Sequence, residues 1–305
     1  MNADLAPPAP LHVVVVAYGP VDGLAGCLEA LGGAYPVTVV DNSSNPEARL
    51  VASGAGAQYL DPGRNLGFAA GVNLGLDQVA GGHDVLLVNP DARVWPPAVE
   101  ALRHALVADQ RAGCAAPALR DPRNGEAERV CWPFPSPRRA WVEAPGLGRL
   151  LPADGFLIGA VLLLRAEALA EVGRLDERFF LYAEEVDWQF RARAAGWHPR
   201  WCPDVTAEHL GAGTGGDPRW RQSVFHASVE RYVRKWYGPW GWTSFRLATV
   251  LAAGLRGVAR RGETGRAERR RAVLYLRGPV RARGAAAPPP PAGATGEHPG
   301  PGGAR

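Results

Sequence analysis

Three carboxylates, Glu184, Glu185 and Asp187, crowd the start of a helical stretch that follows an aromatic run of Phe179, Phe180 and Tyr182. A carboxylate at the edge of a partly apolar pocket can act as general base toward an acceptor hydroxyl. The same acids complement the positive end of a helix whose last turns carry Arg191 and Arg193, so a purely structural role stays open. Two further aspartates close strand-like runs, Asp41 after VTVV and Asp91 after LLVNP. There a carboxylate can accept from a base or ribose, or hold a divalent cation against phosphates; it is equally an ordinary turn former. His209, in AEHLGAGTGG, follows a strand-like run and precedes a glycine-rich loop. Beside Asp91 in space it would complete an oxygen and nitrogen metal site, and alone it is a structural histidine. Asn65 and Asn73 accompany Gly67, Gly71 and Gly75, which recur every four residues and so share one helical face. That segment is neither GxGxxG nor a P-loop ending in GK[ST], and close packing of a helix on a sheet explains its glycines as well as a ligand does.

Holding these groups together requires an alternating α/β chain. Leu11–Ala17 is a continuous β-branched run, as in a strand buried on both faces. Helical spacing over residues 21–31 and a second strand over 37–40 predict a right-handed parallel crossover. Residues 64–80 read as a loop entering a glycine-rich helix, and Asp84–Val88 as a buried strand ending at Asn89, Pro90 and Asp91. A helix over 97–108 and an apolar stretch over 113–118 follow. The polar candidates thus gather at carboxyl ends of strands, where open sheets bind ligands. Residues 120–152 are irregular and rich in Pro, Arg and Trp, which reads as a functional loop or mobile lid. Residues 155–165 form one strand-like run, residues 166–172 a short helix, and residues 183–195 a helix stopping at Gly196. Another helix is predicted over 219–237. Residues 243–261 then carry an apolar face (Phe245, Leu247, Val250, Leu251, Leu255, Val258) with arginines at 246, 256, 260 and 261. Residues 284–305 have the composition of a disordered tail.

The 305 residues, 47% apolar and 21% charged, fit a soluble globular chain of one large or two small domains and exclude a mini-protein or a collagen-like chain. Charge is unevenly distributed. Residues 231–305 carry 15 Lys and Arg against 3 acidic residues, so the first 230 hold a net −8 within a total of +4. Lys235 is the only lysine, so the arginine excess reflects a compositional bias. With an acidic body and few aromatics interleaved beyond residue 245, nucleic acid is not an expected partner. Cys27, Cys114, Cys131 and Cys202 form no CxxC pair and read as free thiols in a reducing cytoplasm. The first residues lack a signal-peptide pattern, and no run approaches the roughly 18 apolar residues of a membrane span.

Taken in order, VVVVAYGP, VTVVDNSS, NLGFAAGVNLG, LLVNPDARV, GFLIGAVLLLR, LDERFFLYAEEVDWQFRARAAGW and the later His209 resemble the inverting family 2 glycosyltransferases of the GT-A fold, bacterial rhamnosyltransferases in particular, over about residues 11–237. The resemblance implies a Rossmann-like mixed, mostly parallel sheet flanked by helices. This GT-A domain would span 11–240 after a flexible lead-in over 1–10, with a basic amphipathic helical extension over 241–283. It implies a nucleotide-sugar donor, dTDP-rhamnose as the best guess, held by Ala17, Tyr18, Asp41, Asn65, Gly67, Asn73, Asn89 and Asp91. Mg2+ or Mn2+ would sit on Asp91 and His209. Glu185 would be the catalytic base with Glu184 and Asp187 as neighbours, and a saccharide or polyprenyl-linked acceptor would meet Gly159 and Trp188. Two departures stand out: the DxD-like element begins with the amide Asn89, and Glu185 occupies a position where many relatives carry Asp. The work implied is cell-envelope polysaccharide synthesis on the cytoplasmic side. Residues 243–261 would either lie on an anionic membrane surface or pack on the domain. A family 2 enzyme using another UDP, GDP or dTDP sugar is an alternative. So is a catalytically silent binding module, and release of nucleoside diphosphate would tell that module from an enzyme. A nucleotidyltransferase would carry a basic phosphate-binding loop that AYGPVDG lacks.

Overall fold

From the N-terminus the elements are β1 (Leu11–Ala17), α1 (Asp22–Leu31), β2 (Val37–Asp41), α2 (Pro46–Gly54), β3 (Gln58–Leu60), α3 (Phe68–Leu76) and β4 (Asp84–Val88). Then follow β5 (Ala92–Arg93), α4 (Pro96–Ala108), β6 (Ala112–Arg120), β7 (Ala127–Glu128), β8 (Cys131–Pro133), α5 (Pro137–Glu143), β9 (Gly155–Leu157), β10 (Val161–Leu164) and α6 (Ala166–Val172). The chain ends with α7 (Glu184–Ala194), β11 (His198–His209), α8 (Pro218–Ala259), α9 (Gly262–Arg277) and α10 (Pro279–Arg283). This computed structural model describes residues 7–151, 155–211 and 218–283. The tail read as disordered, 284–305, and the first six residues of the lead-in lie outside the described residues.

The main sheet has the order β3-β2-β1-β4-β10-β6-β11-β5, with β7 on β6. β1 to β4 are parallel, β10 runs against both β4 and β6, and β11 is parallel to β6. All five residues of β4 and all of β1 except His12 are buried, as continuous apolar runs require when helices cover both faces. β1 lies between β2 and β4, with Ala17 level with Asp41 and Val15 level with Val88. The order of strands reverses there, which opens a crevice at the carboxyl ends. α3 lies against β1 because Gly71 and Gly75 face it: a Cβ at either would come within 2.8 or 2.5 Å of Val16 or Val14.

A second, aromatic core joins α7 to the C-terminal helices through Phe179, Tyr232, Trp242, Phe245 and Tyr275. α8 breaks at Gly238 (φ 66°) before Pro239, whose missing N–H ends the first arm. α9 packs on the second arm through Arg256 and Glu268, 3.2 Å apart, and Arg246 donates to the Tyr275 carbonyl at 2.6 Å. The apolar face expected over 243–261 therefore divides. Phe245 turns inward with Trp242, Ala248 and Ala252, while Leu247, Leu251, Leu255 and Val258 remain exposed. The run over 155–165 divides too, since β9 pairs with β8 in a small separate sheet and β10 joins the main one. The stretch over 120–152, read as an irregular loop or lid, carries β7, β8 and α5.

Candidate active site

The turn after β2 is built by Asp41 itself. Its carboxylate, with no exposure, accepts from Ser43 N and Oγ, from Asn45 N at 2.7 Å and from the Tyr59 hydroxyl at 2.8 Å. Asp41 is thus committed to shaping the crest. Asn65 accepts from Gly67 N at 2.9 Å and hydrogen-bonds Tyr18. Asn73 faces away from the crevice: it clamps the distant loop through Leu175 N and O and Glu177 Oε1. Asn42, which sequence reasoning missed, is buried and bridges Leu66 N and the Gly67 carbonyl. Gly67 is required where it stands, because at φ +84° a Cβ would lie 2.3 Å from the Phe180 carbonyl oxygen. Phe68 N donates to that same oxygen at 2.7 Å, so α3 holds the aromatic run in place.

That run ends in two left-handed residues that are not glycine, Tyr182 (φ 66°) and Ala183 (φ 70°). Such conformations cost about 1–3 kcal/mol each and persist where surrounding contacts impose them. Here the turn delivers Glu184 and Glu185, on the first turn of α7, to a cavity of about 1440 Å³ that also reaches Asn89, Asp91, Gly159 and His209. Glu184 is 4% exposed, and the Oε2 atoms of both glutamates are buried with no hydrogen-bond partner among the described residues. Burial pushes Glu185 up to about 7, against the pull of first-turn backbone amides. Glu184 is raised as well, by burial and then by the charge of Glu185. With Glu185 near 7, a carboxylate is available near neutrality, as a general base at physiological pH requires. Gly159 backs Glu185, with room for a Cβ at 3.7 Å.

Asp187 and Trp188 do not join this cavity wall. Asp187, fully buried, accepts from Lys235 at 2.5 Å, Trp236 at 2.9 Å and Arg191 at 3.0 Å. Trp188 is 1% exposed and donates to the Gly173 carbonyl. The physical reason is helical spacing. Asp187 and Arg191 stand one turn apart on the side of α7 that meets α8, so Asp187 positions the helix that carries the glutamates. Lys235 also reaches Asp176 at 2.7 Å, and Arg178 and Lys235 hold that carboxyl well below the usual carboxylate range.

Asp91 Oδ1 and His209 Nε2 stand 3.4 Å apart, and His209 Nδ1 pairs with Glu128 at 2.7 Å. Burial disfavours the imidazolium, but Asp91 and Glu128 outweigh it and push the ring up to about 9. The Asp91 and His209 pair fits Mg2+ or Mn2+ as a partial shell of oxygen and nitrogen donors, with His209 losing its proton on ligation. Among the described residues no group of three His, Cys, Asp or Glu forms a fuller shell, so a cation here would draw its remaining oxygens from a bound diphosphate. Glu128, from β7, carried no sequence signal within an irregular stretch. The far wall of the cavity was missed as well: Thr249, Ala252, Arg256, Arg271 and Tyr275 come from the segment expected to be an extension, and Tyr232 from the helix expected over 219–237.

No protein-family model matches the chain. It is 32% identical over 296 residues to N-acetylglucosaminyl-diphospho-decaprenol L-rhamnosyltransferase of Mycobacterium tuberculosis, covering 82% of this chain and 96% of that protein. Low-salt glycan biosynthesis hexosyltransferase Agl10 of Haloferax volcanii is 26% identical over 211 residues, 65% of this chain and 66% of its own length. Among solved structures, a mannosyltransferase from Pyrobaculum calidifontis in complex with GDP-Man and Mn2+ superposes with a TM-score of 0.55 at 15% identity, over 92% of this chain and 84% of that one. Glucosyl-3-phosphoglycerate synthase from Mycobacterium tuberculosis, in complex with Mn2+, UDP and phosphoglyceric acid, gives 0.54 at 15% identity, over 74% of this chain and 78% of that one. These two share the fold, a mixed and mostly parallel sheet flanked by helices. With the rhamnosyltransferase relative and the crest of Asp91, His209 and paired glutamates, they place this chain among the GT-A glycosyltransferases of family 2, as a rhamnosyltransferase-like member.

Proposed function

We propose that the chain transfers rhamnose from dTDP-rhamnose to a hydroxyl of a lipid-linked saccharide, with inversion at the anomeric carbon. The observation that carries this reading is one cavity holding both the Asp91 and His209 pair and a glutamate that ionises near neutrality. Glu185 takes the acceptor proton as the acceptor oxygen bonds to the anomeric carbon, and the bond from that carbon to the diphosphate breaks on the opposite face. Glu184, buried beside Glu185, disfavours a second charge on the pair. Tyr18, Asn65 and Gly67 border the donor's place at the mouth, with Asn89 and Asp91 beneath its diphosphate. Mg2+ or Mn2+, when held by Asp91 and His209, supplies Lewis-acid relief of the charge on the leaving diphosphate. The relative named above supports the rhamnosyl donor and the diphospho-polyprenol acceptor.

Delivery of a polyprenyl-linked acceptor requires proximity to a bilayer. No helix among the described residues is long and apolar enough to cross one. Leu247, Leu251, Leu255 and Val258, 45–85% exposed, instead form a stripe along the second arm of α8 that ends at Arg260 and Arg261. That stripe suits peripheral docking on an anionic cytoplasmic membrane face. A thermal-shift panel of dTDP-, UDP- and GDP-sugars with and without Mn2+ tests the donor. The expected result is the largest stabilisation by dTDP-rhamnose with Mn2+, lost in Asp91→Asn, and a larger shift by a UDP- or GDP-sugar would overturn the assignment.

A further inference from the structure

The cavity is larger than one ligand needs, since small-molecule sites run to about 300–1,000 Å³, and its far half has a chemistry of its own. On the second arm of α8, Thr249, Ala252 and Arg256 recur at helical spacing and line it, and on α9 Arg271 and Tyr275 face them one turn apart. Arg271 has no carboxylate within 4.0 Å among the described residues, and its Nε is buried without a hydrogen-bond partner. The nearby His226, which pairs with the Tyr275 hydroxyl at 3.1 Å, adds no negative charge. Tyr232 is 0% exposed, and its hydroxyl, buried in this wall, has no partner among the described residues. Arg271, which hydrogen-bonds the neutral Tyr275 and has no counter-ion among the described residues, is a charged donor in the cavity wall with capacity for an anionic acceptor. Apolar lining from Val229, Phe245 and Ala252 adjoins it.

We propose that this far half seats the acceptor's diphosphate and its first isoprenoid units, with Arg271 and Arg256 on the phosphates and Val229, Phe245 and Ala252 along the chain. The proposal deepens the acceptor class given under the proposed function and rests on it. It places the acceptor sugar between these arginines and Glu185. The acidic half of the cavity, with Asp91, Glu184 and Glu185, would repel a second diphosphate, and the arginine wall offsets that. The same arm of α8 presents Leu247, Leu251 and Leu255 on its outer side, where a bilayer would supply the lipid.

The test titrates the full-length chain with farnesyl diphosphate, and separately with inorganic diphosphate and with farnesol. The expected result is that farnesyl diphosphate binds at least about tenfold more tightly than either part, and that Arg271→Gln weakens it about tenfold, as loss of a charge-assisted contact should. Affinity for dTDP and the melting temperature should be unchanged in that variant. Ala252→Phe, which fills the apolar part, should weaken farnesyl diphosphate while sparing inorganic diphosphate. Equal binding by Arg271→Gln and wild type, or farnesol binding as tightly as its diphosphate, would overturn the subsite. So would failure of the wild-type chain to bind farnesyl diphosphate, even if it turns over dTDP-rhamnose. Binding as expected without transfer of rhamnose would instead defeat the donor assignment and leave the subsite standing.

Discussion

Lowering the pH from 8 to 6 should reduce kcat/KM about tenfold, because a carboxyl near 7 is about nine-tenths ionised at the first value and about one-tenth at the second. The perturbed group is Glu185, raised by burial to about 7 from an ordinary value of about 4.3. The sign follows from its role: the deprotonated form accepts the acceptor proton, so activity is present above 7 and lost as pH falls through it. Glu184 is raised too, by burial and then by the charge of Glu185. Glu184→Gln, which keeps the shape and removes an ionisable neighbour, should therefore retain a single acid limb of unit slope. Glu185→Gln should lack the limb altogether. The assay is nucleoside diphosphate release at saturating Mn2+ and subsaturating acceptor. A wild-type limb near 4–5, or a limb that vanishes in Glu184→Gln and survives in Glu185→Gln, would refute the assignment.

Lys235→Met should leave the buried Asp187 carboxylate to Arg191 and Trp236 alone and cost about 2 kcal/mol, the loss of one hydrogen bond to a charged group. Thermal melts should fall by about 4–8 °C, and an unchanged melting point would show that Lys235 does not tie Asp187 and α7 to α8. Gly67→Ala should push the Phe180 carbonyl away and impose on alanine a positive-φ extended backbone at about 1–3 kcal/mol, lowering kcat at least about tenfold while the far-ultraviolet circular dichroism stays intact. Wild-type kcat would mean that the aromatic run does not set the glutamates. Leu251→Glu with Leu255→Glu should abolish flotation with anionic liposomes and leave dTDP-rhamnose binding untouched, whereas retained flotation would move the membrane contact elsewhere.

The parallel half of the sheet was legible because its strands are buried on both faces and read as unbroken apolar runs: Leu11–Ala17 and Asp84–Val88 stand where their composition put them. Short or exposed elements were not. β3 is three residues of mixed exposure, and α2 has only Ala48 and Ala52 buried, so neither left a periodic signal. At the site, the glutamates and the Asp91 and His209 pair could be picked out as residue types at strand ends and a helix start. The supporting partners could not, since Glu128 meets His209, and Lys235 meets Asp187, only through contacts dozens of residues apart in sequence. Asp187 and Trp188 shared a motif with Glu185 but not its surroundings, because adjacent positions on a helix point in different directions. The C-terminal helices showed an apolar face without showing that part of it covers the cavity. The charge division read from the sequence acquires a structural meaning there, with arginines of the basic segment lining the wall opposite the acids of the body.

The assignment of Glu185 as base is tested most directly by Glu185→Gln assayed with dTDP-rhamnose and a diphospho-polyprenol saccharide. The expected result is a kcat lower by about 10²–10⁴-fold with dTDP-rhamnose affinity and melting temperature retained. Turnover close to wild type, with the same inverted product, would contradict it.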